Sequence, residues 1–480
     1  MYDFIVIGAG IVGTMIAREL SRYEGRILVL EKESDVANHQ TIANSAIIHS
    51  GHDPKPGTLK AELCVTGNRL YDRLAEELDI PILDTGAFVV AHGAEEESVL
   101  VELLSRARKN GVPKAKIISG KRAREREPNL NETITSALSL PTTRVTYPWE
   151  VAFAAMENAI DNGADIRLNS EVTKITKTDR GYAVEVNRDD TIESRYIINA
   201  AGVFSDRIAS FLEEPAPLRI TPRKGEYIVL DRRLKGWIDR VIYPVPTDKG
   251  KGVLLTPQIH GNILLGPTST FVADKENVKT TQEGIQTIKR NATRLAQNIP
   301  FDRTIRSFAG IRATSDYHDF YIKESSRHAR FYHVAGIDSP GLTAAPAIAT
   351  YLVELIKVKY ALTKKTSFNP YRKKRPTFHE LSDSEKKALF EQDARYGRLV
   401  CKCEKITEAE IVRAIEGPLG SDTIKGIKKR ARAGSGLCQG GYCEHQVLKI
   451  IARETKKPRT KVDYYGKNTP ILLRETKVKP

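Results

Sequence analysis

The run Gly8-Ala9-Gly10-Ile11-Val12-Gly13 follows directly on the apolar stretch Phe4-Ile5-Val6-Ile7, and this junction constrains the chain more than any other segment. Phe4 to Ile7 reads as a short buried strand, Val12, Ile16 and Leu20 then recur at helical spacing, and Arg26-Ile27-Leu28-Val29-Leu30 reads as a second buried strand closed by Glu31. Each glycine has a task in such a turn. Gly8 permits the tight bend, Gly10 lets the backbone approach a pyrophosphate at the helix N-terminus, and Gly13 allows helix and sheet to pack closely. Glu31 stands where a carboxylate can accept both hydroxyls of a ribose. The expected unit is strand, helix, strand around a dinucleotide, with Gly8, Gly10, Ile11, Val12, Gly13 and Glu31 as its contacts. No second fingerprint of this kind occurs in the 480 residues, so a second nucleotide as reductant is not expected, and an organic substrate is expected to reduce the bound cofactor.

The same strand-into-glycine pattern returns at Tyr196-Ile197-Ile198-Asn199 before Ala200-Ala201-Gly202, and at Phe331-Tyr332-His333-Val334-Ala335 before Gly336. These predict further strands of one sheet. Between them, Tyr182-Ala183-Val184-Glu185-Val186 and Gly252-Val253-Leu254-Leu255 have the composition of an antiparallel second layer, so a parallel sheet domain with an inserted β-rich cap is expected. The length calls for two or three domains. The most apolar stretch, Gly341 to Ile356, is interrupted by Pro346 and Glu354, and no membrane span is predicted. The first residues lead straight into a strand with no secretory pattern, which predicts a cytoplasmic protein.

Four of the five cysteines crowd near the C-terminus as Cys401-Lys402-Cys403 and, after 34 intervening residues, Cys438-Gln439-Gly440-Gly441-Tyr442-Cys443. In a reducing compartment such a quartet points to metal ligation rather than to disulfides. An iron-sulfur cluster and a structural zinc both remain open, although spacers of one and four residues differ from the two-residue spacers of zinc knuckles. Gly440 and Gly441 free backbone amides to turn toward sulfur. Cys64 stands apart and reads as a buried small hydrophobe. Thr407 with Glu410 forms a capping box, flanked by Ile406 and Ile411 at staple positions, and a second helix is expected from Ser421-Asp422 to near Gly434. Of the formal charge of +15, residues 401–480 carry an excess of nine, with 18 Lys and Arg against 9 Asp and Glu. A solvated basic surface, an acidic partner protein and, last, a nucleic acid compete for that excess, and aromatics are not interleaved with the basic runs.

Several loops carry a resemblance to a known family. Asn44-Ser45-Ala46-Ile47-Ile48-His49-Ser50-Gly51, Asn199-Ala200-Ala201-Gly202, Phe308-Ala309-Gly310-Ile311-Arg312 and Gly336-Ile337-Asp338-Ser339-Pro340-Gly341-Leu342-Thr343 resemble the FAD-dependent oxidoreductases typified by D-amino-acid oxidase. Within that family the likeness over residues 1–360 is greatest to the large subunit of anaerobic glycerol-3-phosphate dehydrogenases and to L-2-hydroxyglutarate dehydrogenases. Gly434 to Cys443 resembles the bacterioferritin-associated ferredoxin-like module, which binds a two-iron two-sulfur cluster through four cysteines. What the resemblance implies is an α/β fold with an α+β cap. A Rossmann-like FAD-binding domain (about 1–85, 145–215 and 305–360) would carry an inserted antiparallel β substrate domain (about 86–144 and 216–304). A linker (361–395), a small helical iron-sulfur domain (396–455) and a basic tail (456–480) would follow.

The implied cofactors are FAD and the two-iron two-sulfur cluster held by Cys401, Cys403, Cys438 and Cys443. Flavin contacts are further implied at Ser45, Val172, Ala201, Gly202, Gly310, Gly341, Leu342 and Thr343. The implied reaction oxidises a secondary alcohol, with His49 as first candidate for the base and His52 as second, and with Arg312 as the substrate arginine. Lys55, Arg223, Lys224 and Tyr243 are candidates to complete an anion pocket. A glycerol-3-phosphate dehydrogenase that passes electrons through the cluster to a partner subunit or quinone-linked acceptor is the expected function. A 2-hydroxy-acid dehydrogenase, or a flavoprotein with a zinc-stabilised interaction module, is the alternative.

Overall fold

A computed structural model of the chain describes residues 1–247, 252–373 and 375–474. Lys374 of the expected linker and residues 475–480 of the expected basic tail lie outside the described residues. The chain divides into two compact units, Met1–Lys32 with Ala37–Tyr371, and Glu33–Val36 with Arg372 onward.

In chain order, the first unit contains β1 (Tyr2–Ile7), α1 (Ile11–Leu20), β2 (Ile27–Leu30), α2 (Leu59–Leu78), β3 (Asp190–Asn199), β4 (Ile220–Leu230), β5 (Val241–Pro244), β6 (Thr304–Ser315), β7 (Phe331–Ala335) and α3 (Gly341–Lys359). The apolar run Phe4–Ile7 of β1 and the apolar β2 pair in parallel, β1 pairs in parallel with β3, and β3 with β7. These strands form an eight-stranded sheet whose centre is covered from both faces, as their unbroken burial requires. Tyr182–Val186, whose composition suggested the antiparallel second layer although the domain bounds implied by the resemblance placed it with the FAD-binding part, belongs to this sheet. Its segment, Gly181–Val186, makes antiparallel pairs with Val172–Thr178 and with β3. The alternation of buried Tyr182, Val184 and Val186 with half-buried neighbours identified a hairpin strand, but nothing in that alternation names the sheet it joins.

The second sheet has nine strands. β4 lies antiparallel to β6 over their whole length, from Ile220 opposite Ser315 to Leu230 opposite Thr304, and β5 joins Leu254–Pro257 to Ala87–Ala91. The expected cap strand at Gly252–Leu255 is here, as Leu254–Pro257.

Helix α3 runs through Pro346 without stopping. It is long and apolar enough to cross a membrane, the one such helix among the described residues, yet 61% of its apolar window is buried inside the protein against α1 and α2. Proline lacks the N–H that would bond the Leu342 carbonyl, and the Tyr71 hydroxyl donates to that carbonyl instead at 2.8 Å. Gly67 of α2 makes the approach possible, since a Cβ there would lie 2.0 Å from the Thr343 carbonyl oxygen.

The second unit contains α4 (Asp383–Gln392), a short antiparallel pair Leu399–Cys401 with Ile406–Thr407, α5 (Glu408–Glu416), α6 (Ile424–Ala431) and α7 (Glu444–Thr455). Its core gathers Ile406, Ile411, Ile427, Val447 and Ile451 around the buried Cys401 and Cys443. The Thr407/Glu410 capping box forms as expected, with Ile406 and Ile411 both buried. Helix α6 is shorter than expected. Its cap is Thr423, whose hydroxyl accepts from Gly426 N, and Arg432 in a left-handed conformation ends it before Gly434. The expected linker 361–395 contains α4, opened by a second capping box of Ser382 with Glu385.

Candidate active site and cysteine centre

A cavity of about 660 Å³ in the first unit is lined where the glycine-rich turns of β1, β3 and β7 converge. Gly8, Gly10, Ile11, Val12, Glu31, Ser45, Val172, Ala201, Gly202, Gly310, Gly341 and Leu342 all line it, as do His49, Lys55, Arg223 and Arg312. Gly13, His52, Tyr243 and Thr343 stand behind its wall.

The β1 turn is built as its glycines require. Gly8 has φ +104°, where an added Cβ would meet the Ala200 oxygen at 2.6 Å, and a Cβ on Gly13 would meet the Gly8 oxygen at 1.9 Å. One Glu31 oxygen accepts the Ala9 amide at 2.7 Å, which fixes the carboxylate at the rim of the cavity. Ile11 N donates to the Thr41 hydroxyl, and the first-turn amides of Val12 and Gly13 have no carbonyl four residues back within α1. This N-terminus suits a pyrophosphate, and the first turn of α3, with Gly341 and Leu342 at the cavity, suits the negative charge of a reduced flavin ring. The donor set therefore fits FAD.

His49 is held from three sides. Its amide donates to the Thr343 hydroxyl at 2.9 Å, its carbonyl accepts from Asn68 at 3.0 Å, and its Nδ1 lies 3.1 Å from the Tyr243 hydroxyl. Thr343 is thus a brace for the His49 loop, with its side chain turned from the cavity. Tyr243 is fully buried, and burial raises its pKa well above the ordinary phenol value, so it stays a neutral hydroxyl. It touches His49 and stands edge-on to His52, whose Nδ1 is 3.2 Å from the Ser50 hydroxyl. Tyr243 is placed to orient His49, and His52 does not line the cavity.

The anion pocket follows strand parity. Arg223 of β4 is directly opposite Arg312 of β6. The face they share continues through Gly225 and Gly310 to Tyr227, which stacks on Phe308 at 4.7 Å and lies 3.5 Å from the Ser45 hydroxyl. Arg312 donates to the Thr268 carbonyl at 3.1 Å. Burial, and then the neighbouring Arg312, lower the pKa of Arg223, while Asp338 at 3.7 Å opposes them. Asp338 also takes Lys60 at 2.8 Å. Two guanidiniums side by side beside one carboxylate leave a site that an anion relieves. Lys224 falls on the other face of β4, where it is buried against Glu226 and the Lys279 carbonyl, and takes no part in the pocket. Tyr227, Lys60 and Thr41 were not anticipated. Counting alternate residues from Arg223 would have reached Tyr227; Lys60 and Thr41 carried no comparable signal.

In the second unit the four cysteines form two thiol pairs. Cys403 and Cys438 sulfurs are 3.7 Å apart, and Cys443 donates to Cys401. That bond, with the amides of Gly434 and Glu404, lowers Cys401 to about 6 against the opposing effect of burial, and it raises Cys443. At Cys438, burial is outweighed by the amides of Tyr442 and Gly440, so its thiol lies below the ordinary value. Among the described residues no three His, Cys, Asp or Glu side chains are disposed to hold a single metal ion. Two pairs of soft thiols with amides turned toward sulfur instead suit a binuclear cluster.

Comparison with known proteins bears on both units. A family model described as FAD dependent oxidoreductase matches residues 3–355, and one described as BFD-like [2Fe-2S] binding domain matches residues 399–453. A glycerol 3-phosphate dehydrogenase of Caloramator mitchellensis is 42% identical over 478 residues, 99% of each chain. A mitochondrial L-2-hydroxyglutarate dehydrogenase of Nematostella vectensis is 33% identical over 292 residues, 57% of this chain and 64% of the relative. Among solved structures, the L-alpha-glycerophosphate oxidase of Mycoplasma pneumoniae with FAD bound has a TM-score of 0.74 at 29% identity, covering 78% of this chain and 99% of its own. FAD and a two-iron two-sulfur cluster are the cofactors, zinc is set aside, and the chain belongs to the DAO family of FAD-dependent oxidoreductases, extended by a BFD-like [2Fe-2S] domain.

Proposed function

We propose that this protein oxidises the secondary alcohol of sn-glycerol-3-phosphate to dihydroxyacetone phosphate and passes the electrons, through its own iron-sulfur cluster, to a separate acceptor. The observation that carries the substrate is the facing pair Arg223 and Arg312 in the same cavity as His49. A phosphate dianion matches two neighbouring guanidiniums, and Lys60 and Lys55 add positive charge around it. The relative aligned over 99% of its length supports the same substrate, whereas the hydroxyglutarate relative is spanned over only 64% of its own.

FAD, when bound, supplies a two-electron acceptor for the hydrogen on the carbinol carbon. The chain's residues do the rest. Arg223 and Arg312 anchor the phosphate and so fix the position of the alcohol. His49 takes the hydroxyl proton as the carbonyl forms; the serviceable tautomer is the one in which Nδ1–H donates to the Tyr243 oxygen and Nε2 accepts. A phenolate at Tyr243 would hold the ring as imidazolium, and its burial prevents that. Gly8 to Gly13 and Glu31 are proposed to hold the FAD pyrophosphate and ribose, Val172 to border the adenine, and Ser45, Ala201, Gly202, Gly310, Gly341 and Leu342 to border the rest of the cofactor. Cys401, Cys403, Cys438 and Cys443 are the proposed cluster ligands. Residues 1–360 would perform the oxidation and 396–455 the electron exit. An electron-accepting partner and a cytoplasmic site of action complete the reading.

Anaerobic addition of sn-glycerol-3-phosphate to the holoprotein is expected to bleach the flavin absorbance within the turnover time. Bleaching by L-2-hydroxyglutarate alone would overturn the substrate. No response to either would direct the search to amine donors such as proline.

A further inference from the structure

The second unit has an open groove of about 680 Å³ beside the cysteine centre, and helix α4 forms one of its walls. Helix α4 buries no residue, although Leu389 and Phe390 give it an apolar edge. Phe390, 48% exposed, and Leu399, 50% exposed, floor the groove. Isolated surface hydrophobes need no explanation, but two large ones side by side in a concave patch usually await a partner. The rim is basic, with Lys386 and Lys387 on α4, and Lys402 and Lys405 on the cysteine loop. The first two make only long, exposed ion pairs at 3.6 and 3.9 Å, and among the described residues Lys402 and Lys405 make none. Four lysines so spread are costly for a bare surface and useful to one that meets acid.

Place matters as much as charge. Lys402 separates Cys401 from Cys403, and Lys405 follows two residues after Cys403. Cys401 and Cys443 are buried, while Cys403 and Cys438 are partly exposed, so one of the two accessible thiols, Cys403, sits on the loop that supplies half the lysine rim. A redox protein seated in this groove would stand beside that loop.

We infer that this groove docks an acidic one-electron carrier protein, the acceptor that the proposed function requires. The inference rests on the reading that the quartet holds an iron-sulfur cluster. Oxidation of the alcohol releases two electrons and two protons; two carrier molecules, each reduced by one electron, account for the electrons, and the protons pass to solvent. The apolar floor and the lysine ring are the usual parts of a short-lived electron-transfer interface, an uncharged centre with a charged rim that speeds encounter and weakens with salt.

The test uses the full-length holoprotein and an acidic plant-type ferredoxin as probe, with basic cytochrome c as its counterpart. Ferredoxin should bind measurably at low ionic strength and more weakly at physiological ionic strength, where screening acts beyond about 8 Å. Charge reversal in Lys386→Glu/Lys387→Glu and in Lys402→Glu/Lys405→Glu should each weaken ferredoxin binding by about tenfold, mostly through the association rate. The variants should keep iron and acid-labile sulfide, and substrate should still bleach their flavin at the wild-type rate. Equal binding by variants and wild type would overturn the groove as the docking site. Preference for cytochrome c, or for anionic vesicles over ferredoxin, would overturn the partner's chemistry. Protein with its thiols intact but no iron or sulfide would instead fail the underlying cluster reading, an outcome separate from any binding result.

Discussion

At the scale of single residues, the site depends on how firmly His49 is oriented. Its amide, carbonyl and Nδ1 are each engaged, by Thr343, Asn68 and Tyr243 respectively, so the ring has one way to face the cavity. A positioned base contributes about 10²–10⁴-fold. His49→Ala is therefore expected to slow substrate bleaching of the flavin by that range in anaerobic stopped flow, with FAD retained. Tyr243→Phe removes only the partner of Nδ1 and should cost about tenfold in kcat with little change in KM. Because burial holds Tyr243 far above the ordinary phenol range, it does not titrate where the enzyme works, and the alkaline limb of the pH profile should be the same in wild type and Tyr243→Phe. Arg312 binds rather than reacts. Arg312→Lys keeps the charge but loses the fork that suits a phosphate beside Arg223, so KM is expected to rise about 10–100-fold while the bleaching rate at saturation changes little. Cavity lining is what the sequence withheld here: His49 and His52 are three residues apart and equally suited by type, and only the fold shows that one lines the cavity and the other is set edge-on against Tyr243.

At the scale of elements, two helices are held by bonds that their sequences alone do not announce. In α3 the missing amide of Pro346 leaves the Leu342 carbonyl to the buried Tyr71 hydroxyl. Tyr71→Phe strands that carbonyl and should destabilise the protein by about 1–3 kcal/mol. Pro346→Ala restores the amide, so adding it to Tyr71→Phe should recover much of the loss, a non-additivity that a denaturant double-mutant cycle reads directly. In α6, Arg430 grips the buried Asp35 with two bonds of 2.7 Å, and Lys429 reaches the same carboxylate at 2.7 Å. Burial alone would raise Asp35, but Arg430 and then Lys429 outweigh it and hold the carboxyl below its usual range. One carboxylate cannot neutralise two buried cations, and the lysine yields, lowered by burial to about 8. The unfolded chain then binds a proton that the folded one lacks between pH 8 and about 10.4, so this group adds stability as pH rises through that window. Calorimetry should show that increment in wild type and not in Lys429→Met, which should be at least as stable near neutrality. Asp35→Asn leaves both cations uncompensated and should cost about 3–5 kcal/mol.

At the scale of the whole molecule, what could be read in advance was what sterics and local bonding dictate. A Cβ at Gly13 would sit 1.9 Å from the Gly8 oxygen, so the nucleotide turn is written in the residues themselves, and so is the Thr407/Glu410 box. The Ser382/Glu385 box is equally local, but the proline and charge beside it read as a linker. What sequence could not carry was long-range pairing: which sheet receives Tyr182–Val186, and that Arg223 meets Arg312 across 89 residues of chain. The same distinction governs how the two functions combine. Substrate oxidation needs only the first unit's residues, and the M. pneumoniae glycerophosphate oxidase, which this chain spans over 99% of its length while using 78% of its own, carries no more than that part. The cysteine unit adds the exit for single electrons. Cys438→Ser removes one thiol from the partly exposed pair without touching the buried Cys401 or Cys443, so the fold of the unit should survive. Substrate should then bleach the flavin of Cys438→Ser at the wild-type rate under anaerobic conditions, while reduction of an added one-electron carrier falls by at least about 100-fold and the visible absorption of the cluster is lost or altered. If carrier reduction persists at the wild-type rate after the cluster absorption has gone, electrons leave from the flavin directly and the cysteine unit is structural.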